Sequence, residues 1–181
     1  MADTFSIRRA DLHDAEAMTR VHAASWRTTY RGVVEEGFFD EFFDRGLDDR
    51  IASRKSHLQR HDAITWVAVT PDNHVVGYLH AGPNRGPEFP EYLVELYAIY
   101  LLKGWQKLGV GRSLVMALAE AVAASADHRV LVWVLENNPA RDFYERLGAQ
   151  YLGAGTIPIG TQTFTKCAYG WTDLPNSLGL G

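Results

Sequence analysis

The stretch Gln106-Lys107-Leu108-Gly109-Val110-Gly111-Arg112 joins an apolar run, Leu93 to Leu102, to a segment of helical periodicity that begins at Val110. Amides in the first turn of a helix have no acceptor within it and can hold an anion. Glycines at 109 and 111 let the main chain turn tightly and approach that anion. Lys107 and Arg112 add positive charge. A ligand that carries phosphate follows. Two common phosphate loops are excluded by spacing: GxxxxGK[ST] does not occur, and a dinucleotide fingerprint would need a third glycine where Leu114 stands.

Working outward from this loop, Leu93 to Leu102 reads as a strand rich in aromatic and branched residues. Val110 to about Ala124 reads as a helix, with Val110, Leu114, Ala117, Leu118 and Ala121 on its apolar stripe. Arg129 to Leu135 is a buried strand, and Ala140 to Leu147 a helix stopped by Gly148. Tyr151 to Leu152 and Thr163 to Trp171 form a last antiparallel pair. Upstream, Thr65 to Thr70 and Val75 to Ala81 flank Pro71-Asp72-Asn73 as a hairpin. Gly82 to Pro90 is a loop. Phe5 to Arg8 reads as a first strand, and Asp11 caps a helix from Leu12 to about Ser25 with Ala15, Met18 and Val21 inward. Further helical regions cover Glu35 to Phe43 and about Leu47 to His61. The sum is a mixed α/β sheet with helices on both faces.

With 181 residues and 46% hydrophobic side chains, the chain suits one domain over 1–181 and can bury a core without staples. The single cysteine, Cys167, makes no internal disulfide, which fits a reducing cytoplasm. Met1 to Ala10 has no apolar stretch after Arg8 and Arg9, so no secretory leader is expected there. Apolar runs are short and broken by charge, so no membrane span is expected. The net charge of −4 comes without a basic block, which argues against nucleic acid as the partner. The seven histidines show no metal-ligand spacing.

The QxxGxG spacing of Gln106 to Gly111 resembles the pyrophosphate loop of the GNAT acetyltransferases, (Q/R)xxGx(G/A). Val94 to Leu101 resembles that family's central strand. Asn137, Ala140 and Tyr144 match its second signature, NxxAxxxYexlG, position by position. The likeness covers about Thr65 to Trp171, and the run Ser25 to Gly32 resembles one branch of the family. It implies the GNAT fold, with a mostly antiparallel central sheet, and an N-acetyltransferase. The acetyl group of acetyl-CoA would pass to a primary amine of a small molecule or peptide. Leu102-Lys103-Gly104-Trp105, without proline, and Gly148-Ala149 depart from the pattern only in loop shape.

The resemblance also distributes roles. Gln106, Lys107 and the backbone of Leu108, Gly109, Val110, Gly111 and Arg112 would hold the pyrophosphate of acetyl-CoA. Tyr100, Leu101 and Leu102 would pair with the pantetheine amides like an added strand, with an amide near Leu101 polarising the thioester carbonyl. Asn137 and Ala140 would complete the cofactor site. Glu95 is the candidate base and is otherwise a salt-bridged carboxylate. Tyr97 shares its face by strand alternation and orders a water or packs. Tyr144 protonates or hydrogen-bonds the sulfur, or packs as a helix tyrosine. Trp26 and Tyr30 line the acceptor pocket or belong to the core. Cys167 lacks the surroundings of a nucleophile, which favours direct transfer in a ternary complex. A CoA-binding sensor or subunit without catalysis is the alternative, and a homodimer through the terminal strands is left open.

Overall fold

The computed structural model describes residues 4–180. Residues 1–3 and 181, the ends of the expected single domain, lie outside the described residues, as does the first part of the Met1 to Ala10 segment. The strands are β1 (Ser6–Arg9), β2 (Ile64–Val69), β3 (Val75–Pro83), β4 (Val94–Leu101), β5 (Val130–Leu135), β6 (Gln150–Ile159) and β7 (Gln162–Trp171). The helices are α1 (Ala15–Tyr30), α2 (Glu36–Phe39), α3 (Leu47–Leu58), α4 (Val110–Ala123), α5 (Ala140–Arg146) and α6 (Leu174–Ser177). The sheet order is β1-β2-β3-β4-β5-β7-β6. The β1–β2, β5–β7 and β6–β7 pairs are antiparallel, and β4–β5 is parallel. Packing divides the chain into two compact units. One holds the described residues up to His80 with Ala98–Leu114, the other Ala81–Tyr97 with the described residues from Val115 onward.

In the first unit, Asp11 accepts the His13 amide at 2.7 Å while Asp14 accepts the Asp11 amide at 2.9 Å. This reciprocal cap starts a short 3-10 turn, Leu12–Asp14, that runs into α1. Arg8 grips the Asp14 carboxylate with two nitrogens, at 2.7 and 2.8 Å. The apolar face of α1 then buries Met18 and Val21 against Val67 and Val69 of β2 and Tyr78 of β3. Each such side chain contributes about 1.5–3 kcal/mol on leaving water. Asn73, at φ 61°, turns the β2–β3 hairpin, with Thr70 N–H donating to His74 O at 3.0 Å. The helical region read over Glu35 to Phe43 is in fact two pieces, α2 and a π-helical turn, Asp40–Arg45. The wider turn leaves both Phe39 and Phe43 buried with their rings stacked at 6.4 Å.

In the second unit, β5 is buried on both sides of its register with β7, and Tyr92, Leu131 and Ala168 form the centre of the core. A Cβ on Gly170 would stand 2.6 Å from a Tyr92 ring carbon and 2.7 Å from Leu152, so only glycine fits there. α5 ends as expected: Gly148 takes φ 89°, and the Gly148 and Ala149 amides close back on Glu145 O and Tyr144 O at 2.9 and 3.0 Å.

Further differences from the sequence reading lie in β6, α6 and α4. β6 spans ten residues rather than Tyr151 to Leu152 alone, because β7 pairs with it through Gly153, Gly155 and Pro158, residues whose composition reads as loop. α6 was not expected; it starts where Asp173 accepts the Asn176 amide at 3.1 Å ahead of Pro175. The stripe of α4 lies over by one residue: Val115, Ala119 and Val122 are buried with Val110, Leu114 and Leu118, whereas Ala117 and Ala121 are only half-buried. The bulkier side chains turn inward.

Candidate functional site

After β4 a 3-10 turn, Lys103–Trp105, is closed by the Trp105 amide on Leu102 O at 2.9 Å. The chain then leaves helical geometry. Gln106 is extended, Lys107 is left-handed at φ 63°, and Gly109 is left-handed at φ 87°. Only at Ser113, donating to Gly109 O at 3.0 Å, does the helical ladder of α4 begin. Amides earlier in that turn have no acceptor inside the helix. Gln106 to Gly109 are exposed, and nothing lies within 4 Å of where a Gly109 Cβ would stand. The loop is therefore an exposed, sharply turned backbone with room at Gly109, and the exposed Lys107 belongs to it. These residues fit a pyrophosphate.

Within the first unit, Ala98–Leu101 is the last strand in the order, with β3 as its neighbour. The Leu102 amide donates to Val76 O at 2.9 Å. The strand lies close to β3, since a Cβ on Gly77 would meet Leu101 Cδ2 at 2.4 Å and Tyr100 O at 3.0 Å. The Tyr100 side chain is engaged with α1: its ring stacks on His22 at 4.4 Å, and its hydroxyl accepts from Trp26 Nε1 at 3.1 Å. Main-chain groups of this strand are what remains to pair with an extended ligand. Trp26 and Tyr30 are brought together, with ring centres 4.8 Å apart, and Tyr30 is buried.

In the second unit, Glu95 is 4% exposed on β4 and heavily engaged. Arg85 Nη2 donates to Oε1 at 2.7 Å, Arg85 Nε to Oε2 at 3.3 Å, and the Arg85 amide to Oε2 at 3.0 Å. The guanidinium also covers the Tyr97 ring at 3.9 Å, and the Tyr97 hydroxyl donates to Pro83 O. Glu95 and Tyr97 thus share a face, as alternation requires. Among the sequence candidates, none foretold Arg85, which lies in the loop read over Gly82 to Pro90. Tyr144 is buried, with its ring edge-on to Trp171 at 6.0 Å. Asn137 is exposed just ahead of α5. Its neighbour Asn138 accepts the Ala140 amide at 2.8 Å, so the turn into α5 draws its side-chain acceptor from Asn138. Cys167 is buried on β7. Among the described residues no helix is long and apolar enough to cross a membrane.

The sequence reading also passed over His22, Arg50 and Arg54. His22 stacks on Tyr100 and meets Trp26 edge-on, Arg54 reaches His22 Nδ1, and the three carry no spacing signal beyond Arg50 and Arg54 standing one helical turn apart.

Known proteins resemble this chain in sequence and in fold. The profile of the acetyltransferase (GNAT) family matches residues 19–149. An uncharacterised N-acetyltransferase of Bacillus subtilis, YuaI, is 31% identical over 93% of this chain and 94% of its own length. Among solved structures, a GCN5-related N-acetyltransferase from Rhodopseudomonas palustris superposes with a TM-score of 0.71 at 18% identity, over 95% of this chain and 98% of its own. The PaiA N-acetyltransferase of Thermoplasma acidophilum, in complex with coenzyme A, gives 0.64 at 16% identity, over 92% and 99%. With a family profile over most of its length, a relative alike from end to end and the fold in common, this chain belongs to the acetyltransferase (GNAT) family.

Proposed function

We propose that the protein moves the acetyl group of acetyl-CoA directly to a primary amine of a small molecule or peptide. The observation that carries this reading is the loop Gln106 to Arg112, with left-handed Lys107 and Gly109 and nothing within 4 Å of where a Gly109 Cβ would stand. Acetyl-CoA, which supplies an activated thioester, is the donor suggested by family membership and by the coenzyme A held by the PaiA relative.

In this reading the backbone of Leu108 to Arg112, with Gln106 and Lys107, holds the pyrophosphate. Main-chain groups of Tyr100 to Leu102 align the pantetheine arm, and the amide near Leu101 draws charge from the carbonyl. Asn137 and Ala140 support the arm, and the Tyr144 hydroxyl meets the sulfur as it leaves. Trp26, Tyr30 and Tyr97 are the residues assigned to the acceptor. The attacking nitrogen must be neutral, which costs about 4–5 kcal/mol for a lysine-like amine at pH 7. Glu95 takes that proton once Arg85 has moved aside. The new C–N bond forms as the C–S bond breaks, the nitrogen releases a proton to water on becoming the amide, and the thiolate takes one from the Tyr144 hydroxyl, which water then reprotonates. The burial of Cys167 supports transfer without an acyl-cysteine stage.

The Arg85–Glu95 pair also favours a second reading, a CoA-binding sensor or subunit, because a carboxylate bonded three times is a poor base. Thiol release from acetyl-CoA across a panel of primary amines separates the two. Transfer to at least one amine, reduced about 100-fold or more by Glu95→Gln, supports the enzyme. Tight acetyl-CoA binding with no turnover of any amine supports the sensor.

A further inference from the structure

Several arginines of the fold meet acids: Arg8, Arg27 and Arg85 lie 2.6–2.7 Å from the carboxylates of Asp14, Asp44 and Glu95. Arg50 and Arg54 differ. They stand one turn apart on α3, both half-buried, and among the described residues neither has a carboxylate within ion-pair distance. Asp48 and Asp49, in the first turn of the same helix, are exposed to solvent. What holds the two guanidinium groups is neutral. Arg50 Nε donates to Phe42 O, with Phe42 and Phe43 rings below it. Arg54 Nε donates to Thr19 Oγ1 at 3.1 Å, and its plane covers Tyr78 at 4.8 Å.

Arg54 Nη2 also lies 3.4 Å from His22 Nδ1. A guanidinium can only donate, so Nδ1 is the accepting nitrogen and the imidazole proton sits on Nε2. That Nε2–H is shielded from solvent and meets no acceptor. Burial, and then the charges of Arg54 and Arg50, push the His22 pKa down to about 3, so the ring is neutral at ordinary pH. The region thus offers two positive forks and one unused N–H donor, with no negative charge to meet them. Two guanidinium groups with no carboxylate among their partners, beside a buried N–H with no acceptor, fit an anion. It also borders the acceptor residues: His22 packs edge-on against Trp26 at 5.8 Å and stacks on Tyr100.

We propose that His22, Arg50 and Arg54 form the subsite for a carboxylate carried by the amine acceptor, which is therefore an amino acid or a peptide presenting a carboxylate. This rests on the preceding functional reading in taking the ligand to be the acceptor. The forked guanidinium of Arg54 takes the two carboxylate oxygens, Arg50 adds long-range charge, and His22 supplies the third donor.

The test uses the full chain and matched ligands: phenylalanine and leucine against phenylalaninamide and leucinamide, with acetate as the free anion. Calorimetric titration comes first, without acetyl-CoA. The acids should bind roughly tenfold or more tightly than their amides, and Arg54→Gln should bring that ratio close to one. Arg54→Lys, which keeps the charge without the fork, should give an intermediate ratio and guards against a Gln variant that fails to fold. The same ratio, read as KM during acetyl transfer, should collapse in parallel. Equal binding of acids and amides overturns the subsite, as does acetate binding as well as the amino acids, or no binding of either. If Arg54→Gln lowers the melting temperature but leaves the ratio intact, Arg54 only holds α3, and the proposal is wrong. Equal acetylation of acids and amides sinks the subsite while the enzyme stands. A tenfold preference for the acids in binding, without transfer to either, upholds the subsite while the enzyme reading falls.

Discussion

Lys107 holds a left-handed backbone, φ 63°, that L side chains adopt at a cost of about 1 kcal/mol. Gly109 takes the same region at no steric cost. Strain tolerated at a lysine in the loop proposed for the pyrophosphate is what a functional ammonium would require. Lys107→Gly should raise unfolding free energy by about 0.5–1 kcal/mol in urea titrations while weakening acetyl-CoA binding several-fold, more so at low salt. Lower stability, or affinity that does not change, would count against the loop as the pyrophosphate holder. His22 gives a second residue-level outcome. Its native pKa, near 3, lies below the unfolded value near 6.5, so between those pH values the unfolded chain binds a proton that the native chain refuses. Stability from this neutral ring is complete above about pH 6.5 and falls as pH drops toward 3, by up to about 1.4 kcal/mol per pH unit. Exposed carboxylates add their own acid limb, so the measurement is a difference. Wild type and His22→Phe should run parallel above pH 7 and diverge below 6, with the variant losing less.

At the scale of elements, β4 depends on a missing side chain in β3. Gly77 lies under Leu101 and Tyr100, where a methyl would meet a side-chain carbon at 2.4 Å and a backbone oxygen at 3.0 Å. The leucine tip can rotate away, but the carbonyl belongs to the strand. Gly77→Ala should therefore cost about 1–3 kcal/mol and shift Tyr100 and Leu101 in the very segment assigned to the pantetheine arm. The checks are thermal unfolding and the Kd for acetyl-CoA, and a variant that keeps both at wild-type values would mean that β4 is not held in place from this side. Elements were legible where one physical signal dominated. Strands β2 to β5 announced themselves by branched and aromatic runs, and α4 by a stripe beginning at a glycine pair. β6 was not legible, because Gly153, Gly155 and Pro158 hide a strand that exists through its pairing with β7. The start of α6 was written in Asp173-Leu174-Pro175, a capping residue ahead of a proline, but four residues are too few for periodicity to speak.

For the molecule as a whole, cofactor and acceptor readings differ in what the sequence could reveal. The shape of the proposed cofactor loop was legible because glycine spacing encodes a left-handed turn locally. Arg85 reaches Glu95 from ten residues away across a loop without regular period, Arg54 reaches His22 from 32 residues away, and the lack of an acid beside an arginine is visible only once the chain has folded. Net charge, −4, carries no hint of such a donor-rich spot. The whole chain should respond to ligands accordingly. A ligand that binds only the native state at a hundred times its Kd adds about 2.7 kcal/mol. For a chain of this length each 1 kcal/mol moves the melting temperature by about 2–4 °C, so coenzyme A and acetyl-CoA should each raise it by roughly 5–11 °C. ATP shares adenine, ribose and phosphates with coenzyme A but lacks the pantetheine arm, and NAD replaces that arm with a second nucleoside. Both should shift melting by less than a third as much at equal concentration, because they forgo the main-chain pairing along Tyr100 to Leu102. Gly109→Glu, which places bulk and negative charge where no atom now stands within 4 Å, should abolish the coenzyme A shift. Equal shifts for ATP and coenzyme A would mean that the loop reads phosphate alone, and the strand beside it would lose its assigned part in aligning the acetyl group.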